Sequence, residues 1–261
     1  MRHPRPTAPA HPHPLPHQSR SILLLVLLLL GTAVPRPAPA QELASTRSLL
    51  WAGAALGGAL LLDQQVRAGF AGDGSGEGTL GTLSSVGNAL GRPQYVLPAL
   101  GGLYVLGQLA GDAPARESAT HIAAGLVAAG VANGTLKFAV GRLRPGQHDG
   151  DGDEFRPLSL ADQWQSFPSG HTVVAFALAG AIAEEAQNPW VTAASYGTAA
   201  MVGWSRVYED RHWASDVVAG AIVGTLVSRT TVRWLHRRGG ERNAVHISAT
   251  PQGISVSVPT R

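Results

Sequence analysis

Six apolar stretches rich in Ala, Gly, Leu and Val recur along the chain, at 48–62, 94–111, 119–140, 170–186, 190–205 and 213–235. Their lengths exceed those of ordinary strands and suit helices. The pattern predicts an all-α fold, a six-helix bundle. Between the first two stretches lies a Gly-rich loop, 63–93, with room for a short helix from Thr79 to Leu90. The tail alternates Val245, Ile247, Ile254, Val256 and Val258 around Thr250-Pro251-Gln252-Gly253, the pattern of a short β-hairpin. Three regions follow: a leader over 1–40, the bundle over 41–242 and a C-terminal tail over 243–261.

The leader reads as a secretory signal peptide. Residues 1–20 are rich in Pro and His and predict disorder. Arg20 is followed by the apolar run Ile22 to Leu30, a breaker at Gly31, and Ala38-Pro39-Ala40 before Gln41. That is a basic start, a short apolar core and a small-residue cleavage pattern, and nine apolar residues are too few to span a bilayer. Export to the periplasm or cell envelope is the expectation. With no cysteine in the sequence, neither a disulfide framework nor a thiolate metal site is available.

Charge excludes one class of partner. The formal +3 includes four arginines in residues 1–40, which hold no acid; the remainder carries 16 basic against 17 acidic residues, a net −1. A nucleic-acid binder needs a basic surplus on its folded domain, so no nucleic-acid partner is expected. Of the 20 basic residues 19 are arginine, and Lys137 stands alone.

Membrane topology has two readings. Uncharged runs of 19 or 20 residues at 93–111, 118–136 and 186–205 are long enough to cross a bilayer, whereas the first, fourth and last helices offer only 12 to 15 such residues. If the chain starts outside and all six helices cross, the loops after helices three and five lie inside, and those loops carry the chemistry. Either the leader is not a signal and the bundle spans with its site outside, or the signal is real and the bundle sits in the exported compartment, soluble or resting on the membrane.

Three motifs concentrate groups suited to phosphate chemistry. In Ser205-Arg206, five residues, His212, three residues, Asp216, the last pair falls on one helical face if a helix begins near His212. Gly220 and Gly224 continue that face and predict a closely packed neighbour. An Asp that takes the hydrogen bond from one imidazole nitrogen leaves the other free to attack, which makes His212 a nucleophile candidate. Arg206 offers a fork for phosphate oxygens. In Pro168-Ser169-Gly170-His171, Ser169 is a natural N-cap and Gly170 leaves the helix start open to an anion; His171 in the first turn suits a general acid. Lys137 and Arg144, seven apart on either side of the expected end of helix three before Pro145, could clamp phosphoryl oxygens, with Gly130 and Gly134 predicting close packing of that helix. Each motif alone also fits a capped or solvated helix end. The acidic loop after Pro145, with Asp149, Asp151, Asp153 and Glu154, lacks the Gly and the closing Glu of a calcium loop, having Leu160 in the latter place. It reads as solvated.

Taken together, Lys137-x6-Arg144-Pro145, Pro168-Ser169-Gly170-His171 and Ser205-Arg206-x5-His212-x3-Asp216, in that order on helices three to six, closely resemble the phosphatidic-acid phosphatase type 2 and vanadium haloperoxidase superfamily, over roughly Ser118 to Val232. The resemblance implies a six-helix bundle of that kind in which His212 takes the phosphoryl group, Asp216 supports it and His171 protonates the leaving group. Lys137, Arg144 and Arg206, with Ser169 and the Gly170 backbone, would hold the phosphate, and no metal or other cofactor is implied. Glu209-Asp210-Arg211 in the spacer and Trp213-Ala214 after the histidine depart from many lipid-directed members and bear on the substrate. The expectation is an exported hydrolase, a metal-independent phosphatase acting on phosphate monoesters or pyrophosphates, with phosphorylated lipids preferred over small esters and the membrane or its surface as partner. The alternatives are a soluble non-specific acid phosphatase, a haloperoxidase in which His212 ligates vanadate, and a non-enzymatic envelope scaffold.

Overall fold

The computed structural model of the protein describes residues 45–72, 77–147, 154–243, 246–250 and 253–257, all within the unit Val34–Arg261. The signal-peptide pattern and Asp149, Asp151 and Asp153 lie outside these residues. Among the described residues there are seven α-helices, not six: α1 Thr46–Phe70, α2 Gly78–Leu90, α3 Pro93–Leu109, α4 Ala113–Val140, α5 Gly170–Ala186, α6 Pro189–Tyr208 and α7 Ala214–Asn243. The added element is α2, in the stretch read as a loop with room for a short helix. Its buried positions are Gly81, Ser84 and Gly87, so apolar periodicity could not mark it. A Cβ on Gly87 would lie 3.0 Å from the Met201 carbonyl oxygen and from Ser205 Cβ. Helix α2 is held by close approach to α6.

Local chemistry sets the boundaries. Side chains of Ser45, Asp112 and Asn188 accept hydrogen bonds from backbone N–H groups at the starts of α1, α4 and α6, satisfying donors that a first helical turn leaves free. Pro93 and Pro189 open α3 and α6, where a missing N–H costs nothing. Helix α4 ends at Gly141, whose left-handed φ of 61° lets its N–H reach the Lys137 carbonyl; a Cβ there would overlap the Arg156 carbonyl oxygen.

Helix α5 is central, packed by α4, α6 and α7. Five of its nine buried positions between Thr172 and Ala183 are alanine. The glycine stripe on α7 lies against it: a Cβ on Gly220 would come 2.9 Å from the Ser169 carbonyl oxygen, and one on Gly224 2.5 Å from that of Val173. Gly130 and Gly134 on α4 behave otherwise, with nothing within 4 Å of a Cβ at either. The close approach of α4 to α7 falls instead at Gly125, whose Cβ would meet Ser228 Cβ at 3.3 Å. Glycines four apart define a face without saying which way it turns, and the inward face of α4 carries His121, Ile122, Gly125, Leu126 and Ala129.

Alanine is the commonest residue of the buried core, beside larger ones such as Ile122, Leu126 and Phe176, while many large apolar side chains face outward, among them Leu61 at 81 % and Leu109 at 79 % exposed, with Leu50, Trp51, Leu106, Val127 and Val131. An outer surface so rich in large apolar side chains suits helices that pack in lipid. By length and hydropathy α1 and α4 could each cross a membrane. The runs at 93–111 and 186–205 fall in α3 and α6, which do not meet the same criterion. In the tail, His246–Thr250 and Gly253–Ser257 pair antiparallel, with Ile247 opposite Val256.

Candidate active site

The end of α4 and the starts of α5 and α7 meet at one end of the bundle, and the eight expected site residues fall there. Lys137 lies in the last turn of α4 and Arg144 just past it; Ser169, Gly170 and His171 start α5; Arg206 is in the last turn of α6; His212 and Asp216 flank the start of α7.

His212 is not on α7, as the i,i+4 reading had it, but in the turn before it. Its N–H and that of Arg211 both bond to the Arg206 carbonyl, at 3.2 and 3.1 Å. The pair meets because Asp216 reaches back: its Oδ2 accepts from the Trp213 N–H at 3.0 Å, as in a capping box, and lies 3.6 Å from His212 Nδ1. That separation is just beyond hydrogen-bond length but leaves the carboxylate beside the ring nitrogen. On the other side of the ring, Nε2 lies 3.2 Å from Arg144 Nη1. A guanidinium only donates, so Nε2 carries the lone pair and Nδ1 the proton, turned toward Asp216.

Behind His212 stands a buried network that motif spacing did not announce. Asp216, with no exposed surface, also accepts from Ser166 Oγ at 2.5 Å and from Arg142 Nη1 at 2.9 Å. Burial works to raise its carboxyl pKa, but the His212 imidazole and the Arg142 charge hold it below its ordinary value. Arg142, 2 % exposed, donates from Nη2 to Asp63 Oδ2 at 2.8 Å and from Nη1 to Ser215 Oγ at 2.6 Å. Asp63 in α1 in turn accepts from the Ser215 N–H at 2.8 Å. The sequence carried faint signals: Asp63 is the acid that closes the first apolar run, and Arg142 stands between Lys137 and Arg144.

The expected phosphate ligands are held in place by backbone carbonyls and acids. Arg144 donates to the Asp162 carbonyl at 3.0 Å, to Asp162 Oδ1 at 3.1 Å and to the Arg211 carbonyl at 3.2 Å. Lys137 donates to the Gln165 carbonyl, and its Cε would lie 3.7 Å from a Cβ on Gly170, so the ammonium stem runs beside the start of α5. Arg206 is buried and pairs with Glu209 at 2.7 Å, while Glu209 also accepts from Ser84 Oγ at 3.0 Å. An anion reaching Arg206 must compete with that carboxylate. Ser169 occupies the N-cap position of α5 without capping it: its hydroxyl accepts from Thr172 at 2.9 Å and its N–H donates to the Asp216 carbonyl at 3.0 Å.

His171 packs against Gly91, where a Cβ would lie 2.9 Å from His171 Cβ. Its Nε2 is buried without a hydrogen-bond partner, a deficit that a ligand oxygen can fill. Burial, followed by Arg206, His212, Arg92 and Arg144, pushes the His171 pKa down to about 4. Burial brings His212 to about 4 as well, against the pull of Asp216 and with Lys137 and Arg144 adding to the fall. Both imidazoles are neutral at pH 7. Arg92, in the turn between α2 and α3, is a further cation whose position no spacing pattern marked. A cleft of roughly 510 Å³ opens beside the site, with Ser84, Asn88, Arg144, Tyr208 and Glu209 in its wall.

Residues 118–239 match the model of the PAP2 superfamily, so the likeness read from the three motifs is borne out and the segment from α4 to α7 carries that family's pattern. Over 93 residues the chain is 43 % identical to a lipid A 1-phosphatase of Porphyromonas gingivalis, covering 35 % of this chain and 18 % of that protein. Over 109 residues it is 38 % identical to a lipid A 1-phosphatase of Rhizobium johnstonii, covering 41 % and 43 %. The match thus spans less than half the length of these curated relatives. Among solved structures, the transmembrane PAP2-type phosphatidylglycerolphosphate phosphatase of Bacillus subtilis aligns over 85 % of this chain and 97 % of its own, at 18 % identity and a TM-score of 0.47.

Proposed function

We propose that this chain is an exported, membrane-associated phosphatase that removes a phosphate group from a lipid through a phosphohistidine on His212, without a metal. The observation that carries the reading is His212 itself: Nε2 faces the Arg144 guanidinium at 3.2 Å while Nδ1 faces the Asp216 carboxylate. A nucleophile is thereby set beside a cation that binds its target. The phosphoryl group lies among Lys137, Arg144 and Arg206 at the N-terminus of α5, near Ser169 and Gly170, where fixed cations and backbone donors supply the charge stabilisation that phosphoryl transfer needs. His212 Nε2 attacks phosphorus, the bond to the leaving oxygen breaks, and His171 gives that oxygen its proton. Water then attacks the phosphorus, losing its proton to His171, as the phosphorus–nitrogen bond breaks, and inorganic phosphate leaves with the His212 Nε2 lone pair restored.

Besides burial, the charges of Arg206, Arg92 and Arg144 depress His171 in the free site; a phosphate dianion among them offsets those charges, so His171 takes up its proton with the substrate. A lipid substrate is supported by the names of the two curated relatives and by the large apolar side chains on the outer surface of α1, α3 and α4. The leader composition supports export. The test is phosphate release, with EDTA present, from lipid A bearing its 1-phosphate, from phosphatidate and from a small aryl phosphate. Release from the lipids well above the aryl ester is expected. Turnover of the aryl ester alone would overturn the lipid assignment, and no release from any would overturn the enzymatic reading.

A further inference from the structure

At the opposite end of the bundle, α4, α5 and α7 bring together three side chains that belong to none of the motifs. His121 lies near the start of α4, Glu185 in the last turn of α5 and His236 near the end of α7. Counting along these helices at about 1.5 Å per residue, the group is roughly 20–30 Å from Lys137, Gly170 and Asp216. Glu185 Oε1 lies 3.0 Å from His121 Nδ1 and 2.8 Å from His236 Nε2, and one donor atom from each residue falls within 4.8 Å of the others. The two rings meet edge to face, with centroids 4.9 Å apart.

We propose that His121, Glu185 and His236 form a site for a divalent transition ion of the zinc class, which clamps the ends of α4, α5 and α7. The spacing fits. Ligands at about 2.0–2.1 Å from a tetrahedral ion stand about 3.3 Å apart, so the two gaps to Glu185 open by a few tenths of an ångström, and the two imidazoles, whose ligating atoms lie within 4.8 Å of each other, turn in to close on the ion. Two imidazoles and one carboxylate suit zinc, copper or nickel and not calcium or magnesium. The surroundings fit as well. Ser118 Oγ donates to the other carboxylate oxygen, Glu185 Oε2, at 2.6 Å. Glu117 Oε1 stands 3.8 Å from His121 Nε2, on the far side of the ring from Glu185. Without an ion the nearer Glu185 carboxylate takes the hydrogen bond of an Nδ1 proton; an ion displaces that proton, and the one then left on Nε2 points toward Glu117, as the outer partners of metal-binding histidines stand. The adjacent Glu184 is taken up by Arg229 and Arg233 and does not compete. A cleft of about 190 Å³, lined by Glu117, His121, Trp234, Leu235, Arg238 and Gly239, gives an entry path and space for a water as fourth ligand.

The experiment uses the full chain, stripped with a chelator, dialysed and titrated with Zn²⁺. Bound metal per chain, the thermal midpoint and the visible absorption of the Co²⁺ form are read out. One metal per chain, a midpoint raised by several degrees and tetrahedral cobalt bands are expected. Glu185→Gln and His236→Ala should each weaken binding at least tenfold while leaving the far-UV circular dichroism and the zinc-free midpoint close to those of the parent. His171→Ala should bind as the parent does, which separates this site from the catalytic histidines. Absence of stoichiometric zinc on the parent, or undiminished binding in both ligand variants, would overturn the proposal; the second outcome would assign the metal to histidines elsewhere, such as the four in residues 1–20.

Discussion

Arg142→Met removes the cation that two buried carboxylates share. Asp216 has no exposed surface and Asp63 only 4 %, and both accept from this guanidinium, at 2.9 and 2.8 Å. Methionine keeps most of the stem that packs near the Trp213 ring, whose centroid is 5.3 Å from Arg142 Cζ, so the loss is chiefly electrostatic. Deleting one partner of a buried ion pair costs about 3–5 kcal/mol, because the remaining charge has neither water nor counterion. Two charges are stranded here, but each carboxyl can escape by taking a proton, so the cost stays near that range and does not double. For a domain of about 200 residues each kcal/mol moves the Tm by about 2–4 °C, giving a fall of about 6–20 °C in thermal unfolding followed by circular dichroism. Asp63→Asn should cost less in the Arg142→Met background than alone, a coupling of about 1 kcal/mol or more. A Tm loss under about 3 °C, or strictly additive losses in the double variant, would refute the view that Arg142 secures the Asp63–Asp216 pair and through it His212.

Three further expectations rest on separate parts of the structure. Lys137→Ala and Arg144→Ala should each lower kcat for phosphate release by about 10²–10³, the scale for removing one preorganised donor from a transition state; a loss under threefold in steady-state kinetics would exclude the clamp. His212 is held near pKa 4 from an ordinary value of 6.5, so the unfolded chain protonates first as pH falls. Stability from this group is full above pH 6.5 and declines toward pH 4, by up to about 3 kcal/mol. Unfolding midpoints measured at pH 7 and 4.5 should show that decline, and His212→Asn should flatten it. Gly224→Ala puts a methyl 2.5 Å from the Val173 carbonyl, whereas Gly134→Ala meets nothing within 4 Å. The first should lower the Tm and the second leave it unchanged or raise it by the gain in helix propensity.

What the sequence made legible was short-range. Helices α4 to α7 were visible because each buries or exposes a long apolar run, and the eight candidate site residues because each motif packs its members within a dozen positions. Helix α2 escaped because its inner face is Gly81, Ser84 and Gly87, where close approach substitutes for hydrophobic burial. The Asp63–Arg142 contact spans 79 positions, and no local pattern ties an acid at the end of one apolar helix to an arginine past the end of another. His212 stands just outside α7 for a related reason: Asp216 bonds the Trp213 N–H, so the helix starts at Ala214, two residues after the histidine. Glu209 looked like a departure in a spacer; folded, it occupies Arg206 and bridges to α2 through Ser84.

Covalent transfer to His212 is read directly by quenching the enzyme during turnover of a phosphate-labelled lipid and following the label on the protein. The label is expected to be stable to alkali and lost in acid, located on the peptide holding His212 and absent from His212→Asn. Turnover with no label in the parent, or an undiminished label in His212→Asn, would contradict that transfer.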